Sequence, residues 1–244
     1  MKISFVILTW NRYKFLEQCL PALIKSIKNP ADCEIIVMDN GSTDNTRSVL
    51  KHYENNGLVK IIYRNKNYGL NSYKGLFSKA EGDLIVVVDD DVLEFPANID
   101  TIFIDYMNTF THYGFVALNV VQNEFTDGAK PGPENYEDET INGMTIEEGP
   151  TGGWCACFRK ADFKKIQLRF VLTNMNIKNS EDGILSTRLR RTLKLKSGII
   201  KNEVCFHACG PYYAQQYNHL DREIEKYAYA GLEHYVDKYK EYKN

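Results

Sequence analysis

The sequence predicts an α/β fold in which helices flank a mostly parallel central sheet. Strand and helix patterns alternate through the first half of the chain, as they do in a doubly wound sheet. The predicted strands are nearly continuous apolar runs, which is typical of strands that are covered on both faces. Three of these runs end in polar residues, so candidate ligand-binding groups are expected at the carboxyl edge of the sheet.

The elements of the first half, residues 1–121, follow one another without long gaps. A helix with an apolar face from Phe15 to Ile27 follows the first strand, and "STDNTRSVLKHY" opens another helix with Ser or Thr as its cap. The predicted strands are 3–9, 34–38, 58–63, 83–89 and one near 115–121, and the later helices are 73–80 and 98–112.

The second half, residues 122–244, has a different pattern within the same single domain. Residues 122–150 are polar, acidic and rich in Gly and Pro, which predicts a long loop. A glycine turn and short strand in "TGGWCACFRKADF" and an amphipathic helix in "SEDGILSTRLRRTLKL" come next. "SGIIKNEVCFHACG" predicts a strand pair or a bent strand, and a final helix is expected over about 221–242.

Composition excludes several classes of protein. The 244 residues carry a formal net charge of −2, which gives no reason to expect a nucleic-acid partner. No apolar run approaches the roughly 18 residues that a membrane-spanning helix needs. The first residues, "MKISFVILTWNR", lack the small-residue cleavage site of a signal peptide, so we expect a cytoplasmic protein with six reduced cysteines.

Three consecutive aspartates, Asp89, Asp90 and Asp91, end the most apolar predicted strand. Their mutual repulsion and partial burial need a compensating charge. A hard divalent cation, Mg²⁺ or Mn²⁺, accepts carboxylate oxygens and leaves positions for phosphate and water. Strand alternation puts Asp89 and Asp91 on one face and Asp90 on the other. The alternative is that the triplet only ends a strand and caps the next element.

The usual nucleotide-binding loops are missing from the sequence. The segment after the first strand reads "TWNRYKF", without the glycines of a dinucleotide-binding fingerprint, and no phosphate-binding loop of the G-x-x-x-x-G-K type occurs. A nucleotide would therefore be held in another way, and a metal ion on its diphosphate is the obvious candidate.

Six segments occur together in the order and spacing of a known family. They are "VILTWNR", "IIVMDNGSTDNT", "NKNYGL", "AEGDLIVVVDDDV", "GGWCACFRK" and "SEDGILSTRL". The region from Ile3 to Leu195 resembles family 2 glycosyltransferases with the Rossmann-like GT-A fold. The resemblance implies an inverting, metal-dependent transfer of a sugar from a nucleotide-sugar donor, expected to be UDP-linked, to an acceptor hydroxyl.

The resemblance also implies roles for particular residues. The donor-binding set that it implies is Thr9, Asn11, Arg12, Asp39, Asn67, Gly69, Leu70, Lys74, Asp89 and Asp90. Asp39 resembles the acidic residue that contacts the base, and its alternative is a helix cap. The segment "NSYKG" is shorter than its family counterpart, so Lys74 is either a basic group near the diphosphate or an exposed helix lysine. Asp91, Asp89 and His207 are the expected metal ligands.

The segment "SED" supplies the candidate base. Asp182 resembles the catalytic base of the family, with Glu181 as its neighbour, and such a carboxylate would take the proton from the acceptor hydroxyl. The alternative is that both acids only compensate the dipole of a helix whose cap is Ser180.

Several assignments keep a structural alternative. Gly153 and Trp154 resemble the acceptor-side loop, and Trp154 would either stack on a sugar or pack in the core. His207 lies among Cys205 and Cys209, where a structural zinc site is a weaker alternative to core packing.

Two rival functions remain, a sugar nucleotidyltransferase and an inactive binding module with the same fold. The acceptor is expected to be a glycan, a lipid-linked molecule or a protein. The tyrosine-rich final helix has three open roles: capping the core, forming a homodimer, or contacting the inner face of a membrane.

Overall fold

A ten-stranded sheet runs through the part of the chain that the computed structural model describes, residues 1–127 and 130–243. Residues 128, 129 and 244 belong to the predicted loop and to the end of the second half, and they lie outside the described residues. The strands are β1 (Ile3–Thr9), β2 (Cys33–Asp39), β3 (Val59–Tyr63), β4 (Leu84–Asp89), β5 (Val92–Glu94), β6 (Tyr113–Val120), β7 (Glu137–Ile141), β8 (Met144–Glu148), β9 (Cys155–Arg159) and β10 (Lys196–His207).

Helices connect these strands and continue to the end of the chain. They are α1 (Tyr13–Ser26), α2 (Thr46–Lys51), α3 (Ser72–Lys79), α4 (Ile99–Thr109), α5 (Lys160–Leu172), α6 (Glu181–Leu193), α7 (Pro211–Gln216), α8 (Leu220–Tyr229) and α9 (Glu233–Lys240). No helix among the described residues is long and apolar enough to cross a membrane.

The strand order is β3-β2-β1-β4-β9-β6-β10-β8-β7, and β5 pairs separately with β10. β1 is parallel to β2 and β4, and β2 is parallel to β3, which confirms the mostly parallel α/β sheet. β9 runs antiparallel to both of its neighbours, β4 and β6. Because β9 comes from the second predicted half and lies between two strands of the first, both halves contribute to one sheet.

The centre of the sheet is buried on both faces. In β4, the side chains of Ile85, Val86 and Val88 have no exposed surface, and Phe5 and Ile7 of β1 are equally buried. Burying such apolar side chains is the main source of stability for a sheet of this kind. It also fixes the ends of β1 and β4, where the polar residues begin.

The predicted long loop contains a β-hairpin. β7 and β8 pair antiparallel through a two-residue turn at Asn142 and Gly143, whose φ angles are +51° and +77°. Both residues have the positive φ of a type I′ turn, which Asn-Gly adopts at low cost. β8 then adds the hairpin to the sheet beside β10.

The predicted final helix is two helices rather than one. α8 and α9 are separated by a turn in which Gly231 has a φ angle of +64°, a left-handed conformation that ends a helix. Of the two alternatives for the segment after α6, a strand pair or a bent strand, the structure matches the second: β10 is one strand with an irregularity between Ile200 and Val204. Its length allows it to pair with β8 at one end and with β5 at the other.

Candidate active site

The polar ends of β1, β2 and β4 meet at one edge of the sheet. Thr9 is paired in register with Asp39, and Leu8 with Asp89, so the ends of the three parallel strands are level. This is the carboxyl edge, where α/β sheets bind ligands. The sequence-predicted donor residues on these strands therefore lie side by side.

Asp89, Asp91 and His207 form the cluster at the centre of this edge. One ligand atom from each lies within 4.8 Å of the others. His207 Nε2 is 3.1 Å from Asp91 Oδ1 and 3.7 Å from Asp89 Oδ2. The pairing of β5 with β10 brings His207 to this position, and the amide of Ala208 donates to the carbonyl of Asp91 at 2.9 Å.

The charges of this cluster are strongly coupled. Burial raises the pKa of Asp89 to about 7, against the opposing effect of His207, and repulsion from Asp91 and Asp90 adds to the rise. Burial alone would lower the pKa of His207, but the carboxylate of Asp91 raises it above its ordinary value of 6.5. Burial also disfavours the charge on Asp91, yet Arg12 and His207 lower its pKa. The carboxylate of Asp91 is thus firmly ionised, whereas that of Asp89 is not.

The donor set of the cluster fits a divalent metal ion. Two carboxylates and one imidazole from Asp89, Asp91 and His207 are ligands that Mn²⁺ and Mg²⁺ accept, and the imidazole favours the transition metal. A cation in this position would also offset the repulsion that raises the pKa of Asp89.

Arg12 forms ion pairs with two residues of the aspartate triplet. Its Nη1 donates to Asp90 Oδ1 and its Nη2 to Asp91 Oδ2, both at 2.7 Å, and its guanidinium lies 4.7 Å from the ring centre of Phe15. Asp90 is only 3% exposed and faces Arg12. Arg12 and Asp90, both predicted to bind the donor, therefore bind each other, and Arg12 orients Asp91 so that its second oxygen faces His207.

The carboxylates of α6 lie next to the glycine turn before β9. A Cβ atom on Gly153 would be 3.0 Å from the Cβ of Asp182 and 3.4 Å from Glu181 Oε1. The next residue, Trp154, accepts a backbone hydrogen bond from the amide of Asp89 at 2.9 Å. Gly153 and Trp154 therefore connect the acids of α6 with the metal-ligand cluster.

Glu181 and Asp182 have different surroundings. Glu181 is 6% exposed, and burial, together with the charges of Asp182 and Asp89, raises its pKa well above 4.5. Asp182 is half-buried, and its Oδ1 accepts hydrogen bonds from the amide of Gly183 at 2.7 Å and from the hydroxyl of Ser180. Of the two, Asp182 is the carboxylate that solvent and a substrate can reach.

Trp154 packs in the core. Its side chain is 4% exposed, its Nε1 donates to the carbonyl of Leu118 at 2.9 Å, and its ring lies 6.4 Å from that of His207. This burial leaves little ring surface for the predicted sugar stacking, so the structure matches the core-packing alternative. Because Gly153 beside it has no side chain, the side chain of Asp182 has room next to the turn.

Asp39 and Asn11 hold the loop that follows β2. Asp39 is fully buried, and it accepts hydrogen bonds from Arg47 Nε at 2.7 Å and from the amide of Ser42 at 2.9 Å. Asn11 Oδ1 accepts from the amide of Thr43 at 2.8 Å. Asp39 thus holds this loop and, through Arg47, the first turn of α2, a contact that the sequence pattern did not indicate. The N-cap position of α2, which the helix-cap alternative would give to Asp39, is occupied by Asn45.

Asn40 joins this loop to the segment that contains Asn67, Gly69 and Leu70. Its Nδ2 donates to Asn67 Oδ1 at 2.8 Å, and Asn67 Oδ1 also accepts from the amide of Gly69 at 2.7 Å. Gly41 has a φ angle of +80° and passes so close to Lys66 that a Cβ atom would lie 2.5 Å from its carbonyl carbon. The sequence predicts a turn at Asn40 and Gly41, directly after the second strand, but the two residues were not included in the donor-binding set.

Lys74 is the predicted donor residue with the least connection to the site. It is half-buried on α3, and its ammonium makes no hydrogen bond or ion pair within residues 1–127 and 130–243. The exposed-lysine alternative accounts for this arrangement as well as a diphosphate contact would.

Comparisons with known proteins agree with this arrangement. The family model described as glycosyl transferase family 2 matches residues 4–167. An undecaprenyl-phosphate 4-deoxy-4-formamido-L-arabinose transferase of Proteus mirabilis is 37% identical over 103 residues, which are 40% of this chain and 31% of that protein. The chain therefore matches about a third of the length of this curated relative.

Two solved structures share the fold. S. aureus TarS in complex with UDP-GlcNAc superposes with a TM-score of 0.65 at 17% identity, over 84% of this chain and 58% of that one. A mannosyltransferase from Pyrobaculum calidifontis, in complex with GDP-Man and Mn²⁺, has a TM-score of 0.63 at 15% identity, over 92% and 64%. These matches confirm the expected GT-A fold. Because the family model matches more than half of the chain, the protein belongs to glycosyl transferase family 2.

Proposed function

We propose that the protein is an inverting glycosyltransferase that moves a sugar from a UDP-linked donor to an acceptor hydroxyl. One observation carries the proposal. Asp89 of the metal-ligand cluster is hydrogen-bonded through its backbone to Trp154, and the accessible Asp182 lies next to Gly153, so both groups adjoin the short segment Gly153–Trp154. A metal-ligand set for a diphosphate and a candidate base thus flank one location, where a sugar between them could react.

The donor would lie along the carboxyl edge of the sheet. We assign the base and ribose to Thr9, Asn11, Asn67, Gly69 and Leu70, where the loops after β1, β2 and β3 converge. Because both oxygens of Asp39 are already bonded, we assign it the role of holding the loop after β2 in place.

The diphosphate would lie at Asp89, Asp91 and His207, the residues that would hold Mn²⁺ or Mg²⁺. When bound, such an ion supplies positive charge that stabilises the departing diphosphate. Arg12 keeps Asp91 ionised and aimed at His207, and this pairing holds the ligand set in position.

Asp182 is the proposed general base. It would take the proton from the acceptor hydroxyl as the oxygen attacks the anomeric carbon from the face opposite the diphosphate. The half-buried position of Asp182 supports this role better than that of Glu181, which is enclosed and has a raised pKa. A single displacement inverts the anomeric configuration.

The acceptor and location are part of the same proposal. The curated relative named above is an undecaprenyl-phosphate transferase by name, which supports a lipid-linked acceptor over a glycan or a protein. We accordingly place the enzyme in the cytoplasm, at the inner face of the membrane. The family match supports glycosyl transfer rather than the rival nucleotidyl transfer or an inactive binding module.

Replacing Asp182 tests the proposal directly. Asp182→Asn keeps the size and hydrogen-bonding shape of the side chain but removes its basicity, so sugar transfer should fall by about 10²–10⁴-fold. Calorimetry with UDP and Mn²⁺ should give the same affinity as for the wild type, because the nucleotide edge is unchanged. NMR of the product formed by the wild type should show an inverted anomeric carbon.

A matched control separates catalysis from helix capping. Asp221 occupies the first turn of α8 and is exposed, so Asp221→Asn removes the same charge from an equivalent helix position outside the site. This control should leave transfer unchanged. Equal transfer rates for Asp182→Asn and Asp221→Asn would refute the base assignment, and a retained anomeric configuration would refute the single displacement.

A further inference from the structure

The outward face of α5 is unusually apolar for a solvent-exposed helix. Leu168 and Leu172 lie one turn apart and are 74% and 76% exposed, and Val171 beside them is 40% exposed. The opposite face of α5 packs in the core through Phe163, Ile166 and Phe170. A helix that packs in the core on one side and is apolar on the other exposes a surface whose hydration is unfavourable. We call Leu168, Val171 and Leu172 the α5 apolar face.

Basic side chains accompany the apolar residues on the exposed side of α5. The exposed Lys164, Lys165 and Arg169 share the outer surface of the helix, and Lys178 follows in the next segment. Residues 160–179 contain five basic side chains and only one acidic side chain, Asp162, although the whole chain has a net charge of −2. Positive charge therefore predominates in this segment.

Most of this positive charge has no intramolecular partner. Lys165 donates to Asp162 at 2.9 Å. Lys164, Arg169 and Lys178, in contrast, form no ion pair with any residue that the structure describes. Lys164 and Arg169 thus place two such cations on α5 with the exposed leucines, and Lys178 adds a third in the segment that follows.

The α5 apolar face is rigidly connected to the candidate active site. Phe170 of α5 packs against Phe77 of α3, with ring centres 5.5 Å apart. The segment after α5 is fastened by Asn71, whose Oδ1 accepts from the amide of Met175 at 3.2 Å and whose Nδ2 donates to its carbonyl at 3.1 Å. That segment leads directly into Glu181 and Asp182 at the start of α6.

We propose that the α5 apolar face binds the surface of an anionic lipid membrane. The leucines would enter the boundary between headgroups and acyl chains, and Lys164, Arg169 and Lys178 would lie against lipid phosphates, as in interfacial amphipathic helices. Three apolar side chains are too few for the roughly 800 Å² that each partner contributes to a standard protein interface. The positive charge of Lys164, Arg169 and Lys178, moreover, is complementary to a negatively charged surface.

Membrane binding does not depend on the proposed transfer reaction. If both proposals hold, the membrane would lie beside the segment that leads to Asp182. A lipid-linked acceptor would then be within reach of the site, and this last consequence rests on the proposed function. Vesicle binding is measured without turnover, so the two proposals can fail separately.

Flotation with vesicles of phosphatidylglycerol and phosphatidylcholine tests the inference. The wild type should bind anionic vesicles, and binding should weaken with added salt. Lys164→Gln combined with Arg169→Gln and Lys178→Gln should weaken binding roughly a hundredfold, at about fivefold for each charge. Leu168→Ser combined with Leu172→Ser should weaken it by about tenfold or more. Both variants alter exposed side chains, and their melting temperatures should confirm an unchanged fold.

Two matched controls complete the experiment. Lys28→Gln with Lys51→Gln and Lys79→Gln removes the same charge from exposed positions elsewhere, and Val204→Ser with Tyr229→Ser removes exposed apolar surface elsewhere. Each control should change the affinity for vesicles by no more than about twofold, apart from the general loss of attraction that the lower net charge of the lysine control causes. The proposal is overturned if the wild type does not float, if the α5 variants bind like the controls, or if the leucine variant instead dissociates a dimer of the chain.

Discussion

Glu181 is a glutamate enclosed at the start of a helix, next to two other carboxylates. Its burial, with Asp182 and Asp89 as neighbours, raises its pKa well above 4.5. Burial, together with the negative charges of this acidic group, also raises the pKa of the phenol of Tyr73. Above pH 4.5 the folded protein therefore holds a proton on Glu181 more often than the unfolded chain does.

This proton makes stability depend on pH in a defined direction. Above about pH 4.5 the folded state binds more protons than the unfolded state, so stability falls as pH rises towards the folded pKa, by up to about 1.4 kcal/mol per pH unit. Glu181→Gln removes this dependence. Relative to the wild type, we expect the variant to gain stability as the pH rises above 4.5 towards the folded pKa of Glu181, measured by thermal unfolding at each pH.

The control for this prediction is an exposed glutamate in the same helix position. Glu233 lies exposed in the first turn of α9, so Glu233→Gln makes the same substitution away from the buried carboxylates and serves as the reference series. If the difference between Glu181→Gln and the wild type were constant from pH 4.5 to 7.5, the raised pKa of Glu181 would be contradicted.

The residues that sequence reasoning located best are those whose position follows from strand geometry. Alternation after a buried strand indicated Asp89 and Asp91, and the structure brings His207 to them. Arg12 and Trp154 were harder to assign. The partner of an arginine and the burial of an indole depend on what the rest of the chain places beside them, and no local pattern contains that information.

The β7–β8 hairpin shows how one turn determines an element. Ile141 pairs with Met144 across the turn, and the hydroxyls of Thr140 and Thr145 are 2.9 Å apart. The positive φ angles at Asn142 and Gly143 set this register, because the twist of a type I′ turn matches that of the strands.

Replacing the glycine of this turn should loosen the hairpin. Gly143→Ala puts a side chain at a φ angle of +77°, which costs an alanine about 1–2 kcal/mol. Amide hydrogen exchange in β7 and β8 should therefore accelerate roughly 5–30-fold. Gly57→Ala is the control, since a Cβ atom there meets no atom within 4 Å and φ is not positive. Equal hairpin exchange in both variants would contradict the assigned turn.

Elements were predicted well where hydrophobic periodicity is strong and poorly where composition obscured it. The apolar strands of the parallel sheet are readable because both of their faces are buried. The hairpin was missed because the polar composition of 122–150 favoured a loop, although "TINGMTI" contains an Asn-Gly turn between alternating residues. The break between α8 and α9 was missed because the apolar stripe continues across Gly231.

On the scale of the whole molecule, the metal-ligand set joins distant parts of the chain. Asp89 ends β4, Asp91 directly precedes β5, and His207 ends β10. A ligand that binds this set interacts only with the folded arrangement, so it should stabilise the fold by mass action.

Mn²⁺ and UDP together should raise the melting temperature of the protein. At about 100 times the dissociation constant, one ligand adds about 2.7 kcal/mol, which corresponds to roughly 5–10 °C for a chain of this size. A chelator should remove the increase. His207→Ala should reduce it even with Mn²⁺ present, because one ligand atom is lost. An increase with UDP that survives chelation would contradict the assigned metal site.

The separation between Asp91 and His207 has a consequence for biosynthesis. The two residues are 116 positions apart. When the ribosome has synthesised the chain only as far as Asp91, His207 has therefore not yet been added. A nascent chain arrested before β10 should carry the acidic pair without the complete ligand set. Time-resolved Mn²⁺ binding during refolding would then report when β10 docks, since contacts of such long range are slow to form.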